Sequence, residues 1–156
     1  MNNNQLYINS SNELMQVRNI QLQISQKELE LQMLDINTKY SSYDPYSYST
    51  NNIKRQNIEL EIINLKNNRN MHLGIAIETA LLLAEWEIRS NNVYSMAGVA
   101  ISSINSFLQS QKIDFRLQYS TQAKLSQISS LLYTNSNFTS LKSEITRLKT
   151  LCNIYY

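Results

Sequence analysis

Two glycines, Gly74 and Gly98, and one proline, Pro45, are all that this chain of 156 residues contains. Hairpins, tight turns and glycine-rich catalytic loops need backbone angles that these residues supply. Their scarcity limits the chain to few sharp reversals and favours a small number of long helices over many short strands. The length is that of one domain with room for a core. The expected fold class is all-α: an elongated bundle of three to four long amphipathic helices with coiled-coil-like packing, and a helical hairpin of helices 2 and 3 at its centre.

The apolar periodicity places these helices. Residues 1–9 form a polar, loosely ordered N-terminal segment, and a single helical domain is expected over 10–156. Ser10 with Glu13 fits a capping box opening helix 1, over about 11–41. Leu14, Val17, Ile20, Ile24, Leu31 and Leu34 make one row of that helix, interrupted by Lys27. Met15, Leu22, Leu29 and Ile36 make a second row at seven-residue spacing. Two rows are the mark of a helix covered on more than one side. A Tyr/Ser loop over 42–50 follows, because Pro45 forbids a helix continuing through it. Helix 2 spans 51–90, with Ile58, Ile62 and Leu65 setting its period and Ala76, Ala80 and Ala84 leaving room for a close neighbour. Asn67–Asn70 and Gly74 mark a place for a kink or break. Asn91-Asn92 is the turn into helix 3, over 93–133, whose stripe runs from Val93 through Ile104 and Leu108 to Leu132. Helix 4 covers 138–153, capped by Ser136 or Asn137, with Phe138, Leu141, Ile145, Leu148 and Cys152 alternating three and four apart, a coiled-coil type of seam. The expected core of the hairpin comprises Leu81, Ala84, Ile88, Met96, Ala100, Ile104 and Phe107.

The charged fraction is 17% and the net charge +2, too small for nucleic acid to be the main partner. Asn, Ser and Gln take the polar role that Lys and Glu usually play. AT-rich coding is the main account of that; neutral polar faces are also the ones that cost least to bury against another subunit. Charge is uneven along the chain, −2 over residues 1–111 and +4 over 112–156. Cys152 is the one cysteine, so neither an intrachain disulfide nor a cysteine metal site is available. The N-terminal residues carry no basic and apolar pattern of a signal peptide, and a virion or cytoplasmic location is expected.

Three groups of residues are candidates for interaction. Tyr43, Tyr46 and Tyr48 offer large contact area at low entropic cost. Ser102, Asn105 and Ser106 lie on the polar side of a stretch, Ser90 to Gln111, that has no charge at all; that stretch has too many polar residues to span a bilayer and suits a subunit contact or a lumen wall. Lys142, Arg147 and Lys149 form a basic C-terminal face, a candidate contact for nucleic acid with a modest electrostatic term. His72 is the lone histidine and has no neighbouring acid and nucleophile with which to form a triad. Glu78, Glu85 and Glu87 flank Trp86 and are expected to face water or pair with Arg89. No P-loop, dinucleotide fingerprint, cysteine pair or nucleophile elbow occurs, and no cofactor, metal or catalytic residue is expected.

The function expected from these features is non-catalytic: a structural or assembly protein, a helical subunit of a homo-oligomer or larger complex. Its composition is that of virion components of phages with AT-rich genomes. An exported protein of a secretion apparatus, or a membrane-active effector, is the alternative drawn from the uncharged stretches. A small regulatory binding module is the second alternative.

Overall fold

The computed structural model describes residues 2–40, 45–91, 95–113, 115–135 and 138–153. Among them are five α-helices and no strand: α1 Asn3–Tyr40, α2 Pro45–Arg89, α3 Met96–Gln111, α4 Tyr119–Thr134 and α5 Thr139–Leu151. The all-α class follows directly from the missing turn formers.

Several boundaries differ from expectation, each for an identifiable reason. α1 begins at Asn3 rather than near residue 11, because Asn2 Oδ1 accepts Gln5 N at 2.8 Å and caps the helix eight residues early. Ser10 is therefore not a cap: its buried hydroxyl donates to the carbonyl of Ala76 at 3.0 Å. Residues 45–50 of the expected loop are helical, since Pro45 opens α2, where a missing N–H costs nothing; residues 41–44 lie outside the described part. α2 then runs unbroken through 67–74. Arg69, buried there, donates to Gln21 Oε1 at 2.7 Å and to Asn70 Oδ1 at 3.1 Å. The long helix expected over 93–133 is two helices. α3 starts at Met96 behind the cap Ser95 and ends at Lys112, which is left-handed (φ 50°). Phe115 and Leu117, two apart with exposed Arg116 between them, are both buried, the alternation of an extended segment rather than of a helix. The last helix has Phe138 in the capping position; Ser136 and Asn137 lie outside the described residues.

The chain divides into two compact units, Met1–Met15 with His72–Tyr156, and Gln16–Met71, to both of which α1 and α2 contribute. In the first unit α3 and α4 both pack against α5. The α5 seam of Leu141, Ile145, Leu148 and Cys152 is buried, as are Ala97, Ile101, Ile104 and Leu108 of α3 and Leu125, Ile128 and Leu132 of α4. Leu81, Ala84, Ala100 and Phe107 are in the core as expected, whereas Ile88 and Met96 are half-buried.

The Gln16–Met71 unit is an antiparallel helix pair. Ile20 and Ile24 of α1 meet Ile58 and Ile62 of α2, with Leu31, Leu34 and Leu65 packed against them. Polar pairs run in opposite chain directions along this seam: Thr38 with Asn51, Asp35 with Arg55, Lys27 with Glu61 at 2.7 Å, and Gln21 with Arg69. Lys27, which interrupts the inner row, is held at the seam by Glu61 and Glu30. Truncating a fully buried member such as Ile24 removes about 2–5 kcal/mol.

Candidate functional site

α3 and α5 lie side by side because each carries one clean apolar row. Where their polar flanks meet they leave a cleft of about 270 Å³, lined by Ser102, Asn105, Ser106 and Gln109 of α3 and by Glu144, Thr146, Arg147 and Thr150 of α5, with Leu151. Two groups of candidates that lie about forty residues apart in the chain are thereby joined in part, Ser102, Asn105 and Ser106 with Arg147.

Asn105 is the centre of the cleft. Spaced four from Ile101 and three from Leu108, it falls within the buried row of α3 and is 4% exposed, not on the polar side where the sequence reading put it. Its Nδ2 donates to Glu144 O and to Glu144 Oε2, both at 2.9 Å, so it bridges the backbone and side chain of α5. Its Oδ1 is buried without a hydrogen-bond partner. A buried acceptor left open costs about 1–3 kcal/mol, and is the sort of atom that a donor entering the cleft would satisfy. Glu144 and Arg147, the ionisable groups lining the cleft, pair with each other at 3.1 Å. The lining otherwise offers hydroxyls and amides, a surface for hydrogen bonding to a peptide or another polar chain.

The remaining candidates are elsewhere. Tyr46 and Tyr48 stand exposed in the first turns of α2, and Tyr43 lies outside the described residues. Lys142 sits over the ring of Tyr133, 3.9 Å from its centroid, a cation–π contact. Lys149 is half-buried. At 100° per residue Lys142 and Lys149 share one side of α5, while Arg147 turns to the cleft; the three cations do not form one face.

Of the three glutamates expected to face water or to pair with Arg89, Glu78 and Glu85 do so and Glu87 does not. Glu87 is fully buried at the end of α2 and caps α3, accepting Met96 N at 2.7 Å and Ala97 N at 3.2 Å. Burial raises its carboxyl above the ordinary value, against hydrogen bonds from Ala97, Met96 and Ser95 that favour the charged form. Ser95 Oγ accepts Gly98 N at 2.7 Å, so two side chains close the same helix end. Glu85 meets Arg89 at 2.8 Å and Lys124 at 3.4 Å, and Glu78 is exposed. His72 Nδ1 contacts Glu13 Oε2 at 2.5 Å, an interhelical pair that nothing in the linear sequence announced. Burial pushes the Cys152 thiol up to about 12.

Gln109, Glu144, Thr146, Thr150 and Leu151 are the residues of the cleft that the sequence reading passed over. Asn105 in a buried row was the available signal, since a buried amide requires a partner on the facing helix.

Among the described residues, no three His, Cys, Asp or Glu side chains are gathered as a metal site, and no helix is long and apolar enough to cross a membrane. Comparison with family models, curated proteins and solved structures finds no match to the chain.

Proposed function

We propose that this chain is a non-catalytic assembly protein, a helical subunit of a larger complex held by packing of the coiled-coil type. One observation carries the reading: Leu22, Leu29 and Ile36, seven residues apart on α1, each leave more than half of their surface in water. A sustained seven-residue apolar row is the pattern of a helix meeting another helix, and a contiguous apolar surface on a soluble chain marks an interaction site. The carboxylates add support. Glu13, Glu85 and Glu87 are spent in contacts that hold helices together, and of the acidic residues only Glu144 lines the α3–α5 cleft.

The finer reading is a virion component. It rests on composition: Asn and Ser in the place of charge, a single cysteine and small size. The test is cross-linking mass spectrometry on material from the native source, with gradient-purified particles as one fraction. Cross-links between this chain and structural subunits in the particle fraction are expected. Recovery as an unlinked 18.1 kDa chain absent from particles contradicts the reading.

A second reading, a small binding module, is favoured by the open Oδ1 of Asn105 in the α3–α5 cleft. Under it, Asn105→Ala abolishes capture of a peptide partner while leaving helicity intact, and unchanged capture removes it.

A further inference from the structure

The Gln16–Met71 unit has apolar residues on two opposite edges. With 100° between successive residues, Leu22, Leu29, Met33 and Ile36 project from the side of α1 opposite Ile20 and Ile24, which face α2. They are 60%, 58%, 57% and 54% exposed. On α2, Ile53, Leu60, Ile63 and Met71 project opposite Ile58 and Ile62, and are 58%, 57%, 53% and 54% exposed. Six charges of the unit are directed elsewhere, Lys27, Lys66 and Arg55 meeting Glu61, Glu28 and Asp35 across the helix pair, whereas exposed Arg18 lies beside Leu22 on the outer edge of α1. Between Ile53 and Met71 the outer edge of α2 is completed by Gln56, Asn57, Asn64 and Asn67, none of them charged.

We infer that copies of this chain associate side by side through these edges, the outer edge of α1 in one copy lying against the outer edge of α2 in the next. The inference rests on the assembly reading and specifies its surface. Register supports it. The pairs Asp35–Arg55, Lys27–Glu61 and Gln21–Arg69 set Ile36 level with Ile53, and Leu29 level with Leu60. A neighbour displaced sideways without sliding therefore sets Ile36 opposite Ile53 and Leu29 opposite Leu60 on antiparallel helices, with the remaining apolar residues staggered against amides and Arg18.

Charge selects this pairing over α1 on α1. A two-fold axis at Leu29 would bring exposed Arg18 of each copy beside exposed Lys39 of the other, whereas α2 presents an uncharged edge. Area is sufficient. Eight half-exposed Leu, Ile and Met side chains offer roughly 100 Å² each, on the order of 800 Å² in all, and the flanking amides bring one contact toward the roughly 1,200 Å² at which specific interfaces begin. Because the two edges differ, the contact is heterologous, and repetition gives a ring or a filament.

The test uses two variants of the full chain, each with one edge spoiled: Leu29→Glu with Met33→Glu, and Leu60→Glu with Ile63→Glu. All four positions are exposed, so helicity by circular dichroism is expected to stay at the wild-type level. In sedimentation velocity the wild type is expected to exceed the chain mass, and each variant to be monomeric. An equimolar mixture is expected to give a discrete species of twice the 18.1 kDa chain mass, because one intact edge from each variant remains. A variant that still assembles overturns this surface and leaves the assembly reading standing. A mixture that stays monomeric overturns the α1-on-α2 pairing. A monomeric wild type overturns self-association, and the assembly reading then stands or falls on cross-links to other subunits in native material.

Discussion

The carboxylate of Glu87, buried at the end of α2, accepts a hydrogen bond from Met96 N at 2.7 Å, so a side chain of one helix satisfies the first free amides of the next. The arrangement fixes where α3 begins, and it makes stability depend on pH. Folded Glu87 keeps its proton to a higher pH than unfolded Glu87, whose ordinary value is 4.5. Its contribution is present in full below that value and is lost as pH rises through the raised one. Glu87→Gln keeps an acceptor for the amides and is expected to flatten the fall in stability above pH 4.5. Glu87→Ala leaves buried donors open and is expected to cost about 1–3 kcal/mol at every pH. Urea unfolding across pH checks both.

The two glycines are expected to respond in opposite directions to alanine. A Cβ at Gly74 would be 4.0 Å from Phe115 Cζ, an ordinary contact within a continuous helix. Gly74→Ala is expected to raise stability by about 0.5–1 kcal/mol. A Cβ at Gly98 would meet Ser95 Oγ at 2.8 Å and displace the cap. Gly98→Ala is expected to lower stability by up to about 1 kcal/mol. Thermal melts of the two variants provide the comparison.

Cys152 is buried and its thiol is raised to about 12. At pH 8 almost none of it is thiolate, so alkylation of the folded chain is expected to be at least about 100-fold slower than that of the urea-unfolded chain. Mass spectrometry of iodoacetamide-treated samples measures the ratio.

Inner and outer rows of the Gln16–Met71 unit are expected to separate folding from association. Ile24→Ala removes a fully buried side chain and is expected to cost about 2–5 kcal/mol. Leu29→Ala, at a position 58% exposed, is expected to change the folding stability of the dilute chain by no more than about 0.5 kcal/mol while weakening association. Denaturant titrations at low and high protein concentration distinguish the two effects.

The all-α class was legible because scarcity of Gly and Pro and a helical period are local properties. The inner row of α1, from Ile20 to Leu34, and the seam of α5 were legible for the same reason. Helix ends were less so, since they depend on groups far away in the chain: Glu87 starts α3, and Arg69 with Gln21 holds α2 at the stretch where the run of asparagines suggested a break. The end of α3 was missed because Ile113 and Leu117, four apart, continue the helical stripe, whereas the signal against it, Phe115 two residues before Leu117, lies off that stripe. Of the cleft, Ser102, Asn105, Ser106 and Arg147 were named but not joined. Their meeting depends on α3 packing against α5, and the burial of Asn105 depends on a one-residue difference in the assignment of a helix face.

The central claim is that the outward rows of this chain exist to meet other copies. Sedimentation equilibrium of the wild-type chain over a range of concentrations tests it most directly. A mass that rises to an integral multiple of 18.1 kDa is the expected result, and a mass that stays at 18.1 kDa throughout would contradict it.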